Sequence, residues 1–160
     1  MQTEQEVNRV VEQYADTVRR LCMVRLKNRA DAEDVFQTVF LKFALRNEPF
    51  ESPAHEKAWL IKVTLNACRD LLRSFFRTRT VSLDELVDEP AALSPETHEA
   101  LEAVLSLPQK YRDAVYLHYY EGYTAPEIAS IVGKNVNTIY TRLGRARSLL
   151  REKLGGDIDG

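Results

Sequence analysis

Cysteine, histidine and glycine are scarce in this chain, and each scarcity closes off a class of chemistry. The 160 residues hold two cysteines, Cys22 and Cys68, and three histidines, His55, His98 and His118. Neither set has the close spacing of a zinc knuckle or a redox CxxC pair, so no metal and no cofactor are expected, and the cysteines read as buried free thiols. Only six glycines and few β-branched alternations leave little material for strands, whereas long 3.6-period patterns run through both halves. No paired catalytic carboxylates, Cys/His dyad or Gly-rich phosphate loop stands out; no catalytic residues are assigned, and an enzyme is the remotest reading. No apolar run reaches the roughly 18 residues of a membrane span, and the opening MQTEQEVNRV is polar. A cytoplasmic protein without membrane insertion is expected.

What is present is a strong segregation of charge under a formal net charge of −2. Seven acids and no Lys or Arg occupy the segment from Val81 to Gln109, whereas Lys134 to Lys153 carries six bases against one acid, Glu152. A segment so basic points to an acidic partner. The stretch SLDELVDEPAALSPE combines acids, prolines and small residues with little periodicity, the composition of a linker. The expected fold is therefore all-α: two small helical domains, 1–80 and 99–154, joined by an acidic flexible linker at 81–98 and followed by a short tail, 155–160.

In the first half Asp31 is expected to cap a helix from about Ala32 to Leu45. Val35, Phe36, Val39, Phe40 and Phe43 form its apolar stripe; Asp34, Gln37, Thr38, Leu41 and Leu45 form a second one, open between a solvated face and a partner-docking face. A further helix is expected from about Glu56 to Phe76, with Trp59, Leu60, Val63, Leu65, Ala67, Leu71 and Leu72 as apolar positions and Lys57, Lys62, Arg69 and Arg73 as bases. Arginines near aromatic side chains suit phosphates and unstacked bases, although Trp59 fits a core position better than a wedge between bases.

The second half contains a helix-turn-helix pattern. Thr124 and Glu127 have capping-box spacing around Pro126, Gly133 suits a left-handed stop, and Asn135 can cap a helix beginning near Val136. Such a turn demands a steep crossing, which the small Ala129 permits while Ile128, Val132 and Ile139 fill the wedge. On the second helix Val136, Ile139, Leu143, Ala146 and Leu150 share the inner face. Asn137, Thr138, Thr141, Gly144 and Arg145 point outward, flanked by Tyr140, Arg142 and Arg147. Short hydrogen-bonding groups near the helix start reach base edges, and guanidinium groups beside them hold phosphates; a merely solvated face would mix Glu with Lys. Major-groove DNA binding follows.

DAEDVFQTVFLKF (Asp31 to Phe43), AWLIKVTLNACRDLLRS (Ala58 to Ser74) and the stretch from Leu107 to Leu154 resemble, in order and spacing, the signature stretches of the extracytoplasmic-function (ECF) sigma factors, the small bacterial promoter-specificity subunits of RNA polymerase. The resemblance implies an N-terminal domain that docks on the polymerase clamp and opens the minus-ten element, and a C-terminal domain that reads the minus-thirty-five element and touches the β flap. By position, Asp34, Gln37, Thr38 and Leu41 inherit contact with the β′ clamp helices. The pocket for a flipped minus-ten base falls on Phe50, Val63 and Asn66, with Arg69 and Arg73 as neighbouring DNA contacts; Asn66 could instead satisfy a backbone group. Asn137, Thr138, Tyr140, Thr141, Arg142, Arg145 and Arg147 inherit the minus-thirty-five contacts. Tyr140 stands where the family usually has Lys or Arg, and Asn137 where it often has a small or acidic residue, so the upstream base preference is not transferable. An anti-sigma protein is a further partner that the resemblance admits.

About 18 linker residues at about 3.3 Å each span roughly 60 Å, comparable with two duplex turns of about 34 Å. The alternative is a stand-alone dimeric helix-turn-helix regulator, for which Tyr111, Tyr116, Tyr119, Tyr120 and Tyr123 supply the only self-complementary candidate face.

Overall fold

The computed structural model describes residues 1–26, 28–78 and 102–153, and among them there are helices and turns but no strand. The chain divides into two compact units, Met1–Ala91 and Ala92–Gly160. The expected linker at 81–98 and tail at 155–160 lie outside the described residues.

The first unit is three mutually packed helices, α1 (Glu4–Leu26), α2 (Arg29–Leu45) and α3 (Pro53–Thr78). Helix α1 follows from apolar residues at Val7, Val10, Val11, Tyr14, Val18, Leu21 and Cys22, a 3.6-period stripe that faces the core. The Thr3 hydroxyl accepts from the Glu6 N–H at 3.2 Å, and Glu4 and Glu6 in the first turn complement the helix dipole. The N-terminus is tied down as well: the Gln2 N–H donates to the Ala44 carbonyl at 2.8 Å and the Gln2 side chain donates to the Arg46 carbonyl at 3.0 Å.

Helix α2 starts three residues earlier than expected. Asn28, not Asp31, is its cap: Asn28 has extended backbone and its Oδ1 accepts from the Asp31 N–H at 2.9 Å. Asp31 therefore sits inside the first turn, where burial and then neighbouring Asp34 push its carboxyl above the ordinary range. The expected apolar stripe does face inward, with Val35, Val39, Phe40 and Phe43 buried and Phe36 half-buried under the Arg19 guanidinium, 4.3 Å from its ring centre. Full burial of each such side chain contributes about 1.5–3 kcal/mol.

Ser52 starts α3 by accepting from the His55 N–H at 3.1 Å, with Pro53 at the first helical position where it lacks no bond. Cys22 of α1 and Cys68 of α3, distant in sequence, meet in the core as free, fully buried thiols; the hydrogen bond to Cys68 and then burial push the Cys22 thiol far above its ordinary value.

The second unit comprises a helical turn at 102–105, α4 (Gln109–Val115) running into a π segment (Tyr116–Tyr120), α5 (Ala125–Val132) and α6 (Val136–Lys153). The Arg112 Nε–H donates to the Leu107 carbonyl at 2.8 Å and so fixes the entry into α4. In the π segment the Glu121 N–H reaches the Tyr116 carbonyl at 3.3 Å, the Tyr116 hydroxyl meets Glu121 Oε1 at 3.0 Å, and the Tyr116 and Tyr120 rings stack at 5.3 Å. Gly122, at φ 76°, turns the chain toward α5.

The helix-turn-helix has the expected construction. Thr124 Oγ1 accepts from the Glu127 N–H at 3.3 Å while the Thr124 N–H donates back to Glu127 Oε1 at 2.9 Å. Gly133 is left-handed at φ 69°, ψ 39°, and the Lys134 N–H donates to the Ala129 carbonyl at 3.0 Å. Asn135 caps α6 by accepting from the Asn137 N–H at 2.8 Å. Ile128, Ala129, Ile139, Leu143 and Ala146 are buried at the crossing.

Candidate protein-binding and nucleic-acid-binding faces

Each unit carries one helix whose inner face is consumed by packing and whose outer face is free within the unit. On α2, Asp34, Gln37, Thr38 and Leu41 are all exposed, as the period of the inner stripe requires. Leu41 is 60 % exposed and Leu45, one turn on, is 58 % exposed, so two leucines stand together in solvent on one face. The Thr38 hydroxyl donates to the Asp34 carbonyl one turn back at 3.0 Å. An exposed apolar pair flanked by an acid and an amide has the chemistry of a protein-docking strip.

The residues expected to form a base pocket are only partly brought together. Phe50 is half-buried, its ring near-parallel to Phe43 at 6.2 Å and edge-on to Trp59 at 5.6 Å, with the Arg46 guanidinium 4.2 Å from its centre. Trp59 packs against the core, in keeping with a structural role. Phe50 also walls a groove of about 560 Å³ whose other lining comes from the N-terminal half of α1, from Phe43, from residues 49–53 and from Glu56, and neither Val63 nor Asn66 is part of it. Val63 packs against the core, and Asn66 is half-buried with no side-chain hydrogen bond among the described residues. Arg69 and Arg73 are exposed, Arg69 lying 3.8 Å from its neighbour Asp70.

One feature of that groove escaped the sequence. Glu56, only 7 % exposed, accepts from both Arg9 Nη1 at 3.2 Å and Arg9 Nη2 at 2.8 Å, and with Glu6 it holds the Arg9 guanidinium firmly protonated. Arg9 and Glu56 are too far apart in the chain for periodicity to couple them.

On α6 the inner and outer faces separate as expected, with Asn137, Tyr140, Thr141, Gly144 and Arg145 exposed and Thr138, Arg142 and Arg147 half-buried. The Thr141 hydroxyl spends its proton on the Asn137 carbonyl at 2.9 Å, which leaves lone pairs and a methyl group pointing outward. A Cβ at Gly144 would meet nothing within 4 Å, so packing inside the chain does not require glycine there. Arg147 is turned aside, donating to the Tyr119 hydroxyl at 3.3 and 3.4 Å.

A groove of about 370 Å³ gathers Asn137, Thr138, Thr141, Arg142 and Arg145 with Lys110 and Tyr111 of α4. Sequence reasoning missed the last two; the one available signal was Lys110 standing just before a buried tyrosine. Arg145 and then Lys110 hold the Tyr111 phenol below its ordinary range. Tyr111 and Tyr116 are buried within this unit, which removes two of the five tyrosines from the face that a dimeric regulator would need and leaves Tyr119 exposed and Tyr120 and Tyr123 half-buried.

Comparison with known proteins accounts for both units. The family model for sigma-70 region 2 matches residues 10–79, and that for sigma-70 region 4 matches residues 97–150. The chain is 33 % identical over 141 residues to RNA polymerase sigma factor SigV of Bacillus subtilis (strain 168), covering 84 % of this chain and 82 % of that protein. It is 30 % identical over 140 residues to ECF RNA polymerase sigma factor SigM of Mycobacterium tuberculosis (strain ATCC 25618 / H37Rv), covering 85 % and 70 %. Its fold is similar to that of the sigma factor RpoE, solved in complex with the anti-sigma factor NepR from Bartonella quintana, with a TM-score of 0.78 and 24 % identity over 96 % of this chain and 99 % of that one. A stand-alone regulator would leave the region 2 match unexplained. With regions 2 and 4 in order, an all-helical fold and a cationic helix-turn-helix, the chain belongs to the ECF sigma factors: it is a promoter-recognising subunit of RNA polymerase that acts in transcription initiation.

Proposed function

We propose that the two units divide the work of initiation, with 1–80 docking on polymerase and capturing the minus-ten element, 99–154 reading the minus-thirty-five element, and 81–98 linking them. Asp34, Gln37, Thr38 and Leu41 meet the β′ clamp helices, and the region 4 unit touches the β flap. Phe50, Val63 and Asn66, with Arg69 and Arg73, engage the opened minus-ten strand: Asn66 offers an unspent amide donor and acceptor, which reading a base edge requires. Asn137, Thr138, Tyr140 and Thr141 face base edges, and Arg142, Arg145 and Arg147 face phosphates.

The observation that carries this division is the contrast between an uncovered leucine pair on α2 and an uncovered cationic groove on α6. On this reading the chain has no active site of its own and lends specificity to the active site of polymerase, in the cytoplasm. No helix among the described residues is long and apolar enough to cross a membrane. The complex of RpoE with the anti-sigma factor NepR supports an anti-sigma factor as a partner for this chain. The test is run-off transcription from fragmented genomic DNA with purified core polymerase. Specific starts that appear only when the chain is added are expected; their absence would sink the proposal.

A further inference from the structure

The groove between α4 and α6 has a composition that a solvated surface does not need. Lys110, Arg142 and Arg145 come from two different helices and converge on one concavity of about 370 Å³, and its remaining lining is Tyr111, Asn137, Thr138 and Thr141, with no carboxylate. None of the three cations forms an ion pair among the described residues. Like charges gathered in one concavity repel, and the arrangement is relieved when an anion enters. The wall on the α4 side is fixed: the Tyr111 ring is buried, and the Lys110 ammonium lies 5.1 Å from its centre. Tyr111 of α4 and Arg145 of α6 line this same groove, and Arg145 and then Lys110 hold the Tyr111 phenol below its ordinary range.

We propose that this groove holds one backbone phosphate of the promoter duplex, with Lys110 as a direct contact and Tyr111 as a positioning residue for Arg145, both lying outside the helix-turn-helix. The proposal rests on α6 being the DNA-reading helix. Lys110 supplies a point charge without directional demand, and Arg142 and Arg145 supply planar donors. A phosphate held here sets the register in which Asn137 and Thr141 meet the bases, while carrying no sequence information itself.

The test uses holoenzyme reconstituted from the full chain and core polymerase, and measures promoter affinity against salt concentration. Lys110 is exposed, so Lys110→Ala leaves the fold intact. One lost phosphate contact should make the slope of log affinity against log salt shallower by about 0.9, so the variant loses roughly three- to fourfold less affinity than wild type between 50 and 200 mM salt. The loss should be the same for every upstream sequence. Methylphosphonate replacement of upstream phosphates, one at a time, should reveal a single position at which neutralisation and Lys110→Ala are not additive. Tyr111→Phe keeps the buried ring and should weaken binding only while Arg145 is present, becoming silent in an Arg145→Ala background.

An unchanged slope for Lys110→Ala overturns the proposal. If Thr141→Ala relaxes the upstream base preference in that same experiment, the α6 reading stands and only the phosphate groove falls; if Thr141→Ala is silent too, the α6 reading falls with it. Titration of the full chain with inorganic phosphate separates a free anion from the duplex: tight phosphate binding that Lys110→Ala abolishes, with an unchanged promoter slope, would make this a free-anion site and contradict the assignment.

Discussion

Helices α2 and α6 solve the same packing problem and leave different remainders. Each buries one apolar stripe at 3.6-residue spacing, Val35, Val39, Phe40 and Phe43 in one case and Ile139, Leu143 and Ala146 in the other. The remainder on α2 is apolar and acidic, with Leu41 and Leu45 more than half exposed on the face that holds Asp34; on α6 it is polar and cationic, with Tyr140 as its one large exposed hydrophobic side chain. Leucines in water gain by burial against another protein, whereas unpaired cations gain by releasing counterions from a phosphate backbone. The chemistry left over after folding suits a protein partner for α2 and a DNA partner for α6, as proposed.

The largest effects should come from crossing between inner and outer faces. Phe43→Ala, at a side chain 1 % exposed, should lower the unfolding free energy by about 3–5 kcal/mol. Leu41→Ala, two positions away, should change it by no more than about 0.5 kcal/mol. Denaturant unfolding of both variants checks this, and a large loss for Leu41→Ala would make the second stripe internal packing.

Asn66 tests whether nucleic-acid reading is confined to the cationic unit. With a promoter library randomised across the minus-ten element, Asn66→Ala should lower discrimination at one position by about 1–3 kcal/mol and leave the minus-thirty-five profile untouched. An unchanged profile accompanied by lost thermal stability would reduce Asn66 to a structural amide.

Glu56 sharpens the comparison from the other side, because the first unit keeps its buried carboxylate paired with Arg9 while the α6 groove leaves its cations open. Loss of charge-assisted bonds in Glu56→Ala should cost about 1–3 kcal/mol, toward the lower end because the Arg9 side chain is 44 % exposed and regains water. Thermal unfolding checks this, and a neutral result would mean that the pair contributes nothing net.

The smallest effect concerns acid. Bonds from the Thr124 N–H and then the Thr124 hydroxyl hold Glu127 below its ordinary value of 4.5, so its contribution is complete above about that pH and is lost as pH falls through the lowered value. Amide protection at the start of α5, taken as exchange relative to the intrinsic rate at each pH, should fall as the pH drops through that lowered value, and Glu127→Gln should remove that dependence. Protection that is flat with pH in wild type would show the cap to be irrelevant.

Residues whose partners lie within one helical turn or one cap were legible in the sequence: the stripes of α2 and α6, the Thr124–Glu127 box, the Gly133 stop and the Asn135 cap all follow from local spacing. The cap of α2 was misplaced because Asn28 and Asp31 are both good caps and spacing alone does not rank them. The apolar period of helix α1, from Val7 to Cys22, is also local, but it is not among the expectations drawn from the sequence. The contacts that needed tertiary structure were invisible: Arg9 on Glu56, Cys22 against Cys68, Arg147 turned onto Tyr119, and Lys110 with Tyr111 beside α6.

The division between the two outer faces is tested most directly by measuring, for the same variants, affinity for core polymerase and initiation at a promoter that needs its upstream element. Gln37→Ala with Leu41→Arg should lose core binding while keeping wild-type helicity. Thr141→Ala with Arg145→Ala should bind core normally and lose initiation, at about 1–3 kcal/mol for each base contact removed. Loss of core binding in the second pair, or normal core binding in the first, would contradict the account.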